Sequence, residues 1–255
     1  MKTDIRSEKG FTLVELAVVM IIIGLLIGGV LKGQELIKSA KVTSTISQVK
    51  GIDAATSTFQ DIYAGLPGDV ASPGSRLPGC TVAPCVPTTL VTDGRVTATA
   101  ANAPFVNAAQ TIESSAFFPQ LAAADLISGV TPGSDTFGGN YPSAPVGGGW
   151  SPSTVLAQAD IPGASGAEIN DFRPGLYLLH AGQPSVDTAS ASNSLTMQRI
   201  DRKIDDGNPL TGSVYAVEIA TGECVTYDAS TSVYSNAYDT AAGTIGCNAM
   251  VRIQN

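Results

Sequence analysis

Histidine is nearly absent from this sequence: there is one, His180, in 255 residues. Lys and Arg are also scarce, 14 against 22 Asp and Glu, giving a formal charge of −8 and a pI of about 4.5. An acidic surface has the wrong sign for a phosphate backbone, so nucleic acid is not expected as a partner. All charged residues together make up 14%, against roughly 25% in an average soluble domain. With 44% hydrophobic residues, the chain is too apolar to be disordered as a whole. Catalytic signatures are missing too: there is no G-x-S-x-G, no H-E-x-x-H and no phosphate-binding Gly-Lys loop. Gly163-Ala164-Ser165-Gly166 is one residue short of a nucleophile elbow. His180, among Leu178, Leu179 and Ala181, reads as part of a sheet. With no acid–base or nucleophile constellation, an enzyme is not expected. There is no C-x-x-C, which argues against zinc.

What is present is unevenly spread. Residues 1–50 hold seven Lys/Arg against four acids; residues 51–255 hold seven against eighteen. The basic portion contains the one long apolar run, Phe11 to Leu31, 21 residues with Glu15 as its single ionisable group. At about 1.5 Å per residue, a helix of that length spans the roughly 30 Å hydrocarbon layer. The run is apolar all round, unlike an amphipathic core helix, and longer than the apolar stretch of a secretory signal peptide. Three bases precede it and four follow closely, so charge counting does not orient it. A carboxylate inside a membrane is costly and is usually functional.

The string around that carboxylate is Lys9-Gly10-Phe11-Thr12-Leu13-Val14-Glu15, behind the charged leader MKTDIRSEKG. Gly10, Phe11, Thr12, Leu13 and Glu15, with the apolar run behind them, resemble the class III signal of type IV pilins and type II secretion pseudopilins. The resemblance implies that a prepilin peptidase cuts between Gly10 and Phe11 and methylates the new N-terminal Phe11. It also implies that Glu15 faces the N-terminal amine of a neighbouring subunit. The physics agrees, since two charges that are each costly in an apolar medium neutralise one another and favour one axial register. Gly24/Gly28 and Gly29/Gly33 form two G-x-x-x-G spacings, which let helices approach closely in lipid, though glycine is common in membrane helices anyway. Many type IV pilins carry a Pro near the position of Lys32; this chain has none, and Gly28-Gly29 could serve as a weak point instead. Looser likenesses to bacterial pilin-like proteins are Tyr63–Asp69, Phe117–Gly129 and Ile200–Gly212.

Beyond the run, Ile46, Val49, Ile52, Phe59 and Ile62 recur at helical spacing, and no Pro appears until Pro67. Phe11 to Tyr63 therefore reads as one helix of about 80 Å, stopped by Gly65-Leu66-Pro67-Gly68-Asp69. Later segments give a helix over Ile112–Ile127 and another over Ser192–Ile204. Strands are expected at Gly175–Ala181 and Cys247–Ile253, with a hairpin of Ser213–Ala220 and Glu223–Tyr227 around Thr221-Gly222. Residues 67–110 read as loop with room for short strands, and 129–170 as loop-rich. The expected fold is α+β: a long N-terminal helix, its first half membrane-spanning, packed on a C-terminal antiparallel sheet in a pilin-like arrangement. The division is a cleaved leader (1–10), an assembly half-helix (11–31), an amphipathic half-helix (32–63) and a globular portion (64–255).

Cys80, Cys85, Cys224 and Cys247 all follow the apolar run. An even number in an exported portion argues for two disulfides. Of three pairings, Cys80–Cys85 and Cys224–Cys247 close short loops at the lowest entropy cost, and the second resembles the C-terminal disulfide loop of the family. Asp201, Asp205 and Asp206 near Gly207 could hold calcium, as some pseudopilins do; the other account is a helix exit and turn. No other cofactor is expected. The resemblance places the chain first in the bacterial inner membrane as a single-pass protein, leader in the cytoplasm and C-terminal portion in the periplasm. It is then expected in a pilus or pseudopilus filament, with the cell surface as one destination. Implied partners are membrane lipid, the prepilin peptidase, the inner-membrane assembly platform and other pilins. The leading expectation is a structural filament subunit. The alternatives are a minor tip pilin with an adhesive or cargo-binding role, and an anchored periplasmic protein that never polymerises.

Overall fold

The computed structural model describes residues 12–97, 112–134, 136–157, 172–184, 191–218, 224–228, 233–241 and 246–254. Its elements are, in chain order, α1 (Leu13–Tyr63), α2 (Pro73–Arg76), α3 (Glu113–Ala123), β1 (Gly149–Val155), β2 (Gly175–Ala181), α4 (Ser194–Ile204), β3 (Val214–Glu218), β4 (Val225–Asp228), β5 (Val233–Tyr238) and β6 (Cys247–Ile253). Two compact units divide at Lys41/Val42, within α1. The first holds the apolar part of α1. The second holds the rest of α1 and every later element.

In the second unit α1 buries Val42, Thr45, Ile46, Val49, Ile52, Ala55, Thr56 and Phe59. This is the expected 3.6-residue stripe, with two threonines in it. Thr56 is accommodated because its hydroxyl donates to the Ile52 carbonyl one turn back, at 2.8 Å. Ile62, expected on the stripe, is instead 59% exposed, because α1 is then in its last turn. That turn has no basic residue of its own. Arg76, from α2, supplies one: its guanidinium donates to the Tyr63 carbonyl and lies 6.0 Å from the Tyr63 ring.

The main sheet is antiparallel with strand order β1-β2-β6-β3. One face carries Trp150, Leu178, Ala249, Val251 and Val214 and shares a core with the α1 stripe and α3. The other carries Val155, Tyr177, Leu179, Tyr215, Val217 and Met250, which are also buried. Burial on both faces explains why GLYLLHA shows no polar alternation. Trp150 ties sheet to helix: its indole N–H donates to Gln48 Oε1 at 3.0 Å, and Gln48 Nε2 donates to the Ser143 carbonyl at 2.8 Å.

The expected hairpin is corrected. Both of its strands exist, but among the described residues they do not pair with each other. β3 pairs with β6, Ala216 opposite Ala249, while β4 pairs with β5, a strand the sequence did not announce. The Thr221-Gly222 turn lies outside the described residues. β1 falls where loop was expected. Its sequence, GWSPSTV, has poor strand propensity, but β1 is an edge. Trp150 N donates outward to the Pro142 carbonyl and Thr154 N to Val96, and Pro152 between them has no N–H to satisfy.

α3 is buried almost throughout, with a proline inside it. Pro119 cannot donate to the Ser115 carbonyl one turn earlier; Asn140 Nδ2 does so instead, at 2.8 Å.

Candidate functional site

α1 begins at Leu13, with Thr12 in the cap position, and Glu15 is the third helical residue. The Glu15 carboxylate accepts from Thr12 N at 2.9 Å and from Thr12 Oγ1 at 2.8 Å, while Glu15 N donates to Thr12 Oγ1 at 3.3 Å. This is a capping box, in which the first residues of a helix satisfy their own orphan donors. Thr12 was named in the sequence as part of the motif; its capping role was not, although the signal, T-x-x-E before an apolar run, was present. Both bonds to the carboxylate fall on Oε2. Gly10 and Phe11, the expected cleavage and methylation positions, lie outside the described residues.

From Leu13 to Leu31 the large apolar side chains are exposed, from 45% at Ile23 to 90% at Leu13. An 18-residue window of α1 has a mean hydropathy of 2.7 with none of it buried, long and apolar enough to cross a membrane. A water-facing surface of this kind needs a lipid or protein cover. Gly24, Gly28, Gly29 and Gly33 have open space where a side chain would begin, so within this chain none of them is needed for close packing. A charged turn follows: Lys32 Nζ lies 2.7 Å from Glu35 Oε2.

The cysteines form Cys80–Cys85 and Cys224–Cys247. The second joins the residue before β4 to the first residue of β6.

Asp201, Asp205 and Asp206 do converge, each offering an oxygen within 4.8 Å of the others. Their oxygens also accept protein donors. Asp201 takes Gly207 N at 3.2 Å and the Tyr238 hydroxyl at 2.9 Å. Asp205 takes Ser213 N and Oγ. Asp206 takes Asn208 N at 2.8 Å and Thr211 Oγ1 at 2.6 Å. The trio thus organises the exit from α4 and the turn into β3. Burial is the main cause that pushes the Asp201 carboxyl up to about 7; the Tyr238 and Gly207 donors oppose it, and Asp206 and Asp205 add to it.

His180 is fully buried and its Nε2 lies 2.8 Å from the Gly147 carbonyl. Desolvation depresses its pKa to about 4. The ring packs 5.1 Å from that of Trp150.

In a comparison with known protein families, residues 5–31 match the prokaryotic N-terminal methylation motif. That motif is the prepilin-type signal of type IV pilins and pseudopilins. The match covers part of the leader and the apolar run, and indicates a pilin-like or pseudopilin-like N-terminal segment of the kind that a prepilin peptidase processes. The apolar helix is consistent with a membrane-anchored pilin. No characterised protein and no solved structure matches the chain.

Proposed function

We propose that this chain is a structural subunit of a type IV pilus or type II secretion filament, assembled through its N-terminal helix after the leader is removed. One observation carries the reading: the methylation motif sits on an exposed apolar helix with a carboxylate in its first turn. Removing residues 1–10 frees an amine on Phe11, four residues before Glu15. In lipid the capping box satisfies Glu15 within its own chain. In a filament the neighbouring amine adds a full positive charge to the same carboxylate. Its pairing is worth far more in a medium of low dielectric than in water, and misregistered packing leaves both charges unpaired. The apolar helices then cover one another as they leave the bilayer.

The role is structural rather than catalytic, which the burial of His180 supports. Orientation follows from the processing step: the leader is cytoplasmic and the acidic unit periplasmic before assembly.

Two measurements test the reading. Mass spectrometry of the mature chain should show an N-terminal N-methyl-Phe11. Filaments sheared from cells should contain this chain in quantity, and Glu15→Ala should be processed normally yet yield roughly tenfold less filament or worse, given the cost of an unpaired charge. Recovery of the chain with residues 1–10 attached and dispersed as single molecules would refute it. A trace amount confined to filament ends would make it a tip subunit instead.

A further inference from the structure

Two exposed patches of the second unit have complementary chemistry and stand at opposite ends of its helix. The first is the loop Val91–Arg95. Two buried carboxylates strap its backbone from beneath. Asp69 accepts Asp93 N at 3.2 Å and Gly94 N at 2.8 Å. Glu113 accepts Val91 N at 2.7 Å, Thr97 N at 2.9 Å and Thr97 Oγ1 at 2.6 Å. The turn behind it is fixed as well. Gly68 N donates to Gln120 Oε1 at 2.6 Å, and at φ +94° any side chain on Gly68 would meet the Glu113 carbonyl at 2.4 Å. The amides of Val91, Asp93 and Gly94 are committed inward and Arg95 N donates to Asp93 Oδ1 at 3.1 Å, which leaves Asp93 Oδ2 and the Val91 and Arg95 side chains displayed. Val91 is 62% exposed, and Asp93 and Arg95 are exposed beside it.

The second patch is the outer face of α4. Leu195, Arg199 and Arg202 follow one another at spacings of four and three, so they share a side of the helix. Leu195 is 40% exposed, and both arginines are exposed. Arg199 makes no hydrogen bond or ion pair with any described residue. The last turn of α4 is held at the start of the unit, where Lys203 Nζ donates to Thr43 Oγ1 at 3.1 Å. The strapped loop hangs instead from Asp69, just after α1 ends at Tyr63. Thr43 and Tyr63 are about 30 Å apart along the helix.

We propose that Val91 and Asp93 of one copy dock against Leu195, Arg199 and Arg202 of a neighbouring copy, a head-to-tail contact repeated along a filament. In a filament whose helices all point the same way, patches at opposite ends of a unit cannot meet reciprocally about a two-fold axis. They generate a heterologous contact that propagates. The unit from Val42 onward carries eight Lys/Arg against eighteen acids, so most of its surface repels another copy. The cationic face of α4 is where a second acidic unit can approach, and Asp93 is the exposed carboxylate that the loop offers to it. A loop already rigid in the free subunit loses little entropy on docking. This contact rests on the filament reading and adds a specific lateral pair to the helix bundle.

A charge swap in the full-length chain, expressed in its own cells, tests the proposal. Asp93→Arg and Arg199→Asp should each lower sheared filament by about tenfold, since like charges facing across an interface are strongly disfavoured. The double variant should recover most of the wild-type yield. Val91→Cys combined with Leu195→Cys should give a ladder of covalent multimers of this chain on a non-reducing gel. Singles that match wild type, a double that fails to recover, or no ladder would overturn the contact while wild-type filaments still stand. Absence of filaments from the wild type itself would remove the filament reading and this contact with it.

Discussion

Pro119 and Asn140 act as one device. The proline deprives the Ser115 carbonyl of its helical partner, and the asparagine amide, arriving from a loop 25 residues beyond Ser115, replaces it. Asn140→Ala should cost about 1–3 kcal/mol, the penalty of an unsatisfied buried acceptor. Pro119→Ala restores an N–H at the right place and should recover part of that loss, so a thermal or urea double-mutant cycle should show coupling. Strict additivity would disprove the pairing. Asp201 gives a second prediction at this scale. Its pKa is raised from the usual 3.8 to about 7, so the fold favours the protonated form. The stability this contributes is complete below 3.8 and is lost as pH climbs through 7. His180 acts oppositely: its pKa is depressed from 6.5 to about 4, and its contribution is lost as pH falls through 4. Because the two offset each other in the parent, the informative quantity is a difference. The Tm of Asp201→Asn minus that of the parent should rise from pH 4 to pH 7, at about 2–4 °C per kcal/mol for a chain of this size. A difference that stays flat would show that the buried carboxyl does not titrate in that window.

Elements differ in how plainly the sequence announces them. α1 was legible through Tyr63 because its signals are local: an apolar run, then Ile46, Val49, Ile52 and Phe59 at helical spacing, then a Gly-Pro stop. Phe59 closes the buried stripe with no exposure, 4.6 Å from the Tyr63 ring. Phe59→Ala should therefore destabilise the second unit by about 3–5 kcal/mol, read by denaturant unfolding. Ile62→Ala, three residues on but largely exposed, should change little. β2 and β6 were legible for the same local reason, being short apolar runs between turn residues. β1 was not, because an edge strand tolerates Pro152 and serine, and nothing local distinguishes such a strand from a loop. The false hairpin has another cause. β3 and β4 look like a hairpin at short range, but β3 finds β6 more than thirty residues later, a non-local choice that side-chain pattern alone does not encode. At the candidate site, Glu15 stood out because a charge inside an apolar run is costly. The capping role of Thr12 did not, because it depends on a geometry three residues wide.

At the scale of the molecule, the order of the sheet matters more than any one strand. The last strand in sequence, β6, is an inner strand, paired with β2 on one side and β3 on the other. It also carries Cys247, which the disulfide joins to Cys224, and Gln254 just beyond it donates to Asp53 on α1 at 3.0 Å. The second unit thus holds α1 against the strand that follows all the others described, and the four-stranded sheet is incomplete without β6. A chain threading through a membrane would leave that sheet incomplete until β6 emerges. Ending the chain before Cys247 should therefore leave the unit unfolded. The two sheet edges of β6 and the cross-link, worth about 3 kcal/mol on its own for a loop of this length, are lost together, against a typical total stability of 5–15 kcal/mol. Deleting Asn255 alone should be tolerated. Limited proteolysis and the near-ultraviolet signal of Trp150, packed against α1 through Gln48, would separate the two outcomes. Protection of a chain lacking β6 would mean that the remaining strands close by themselves, against the topology described here.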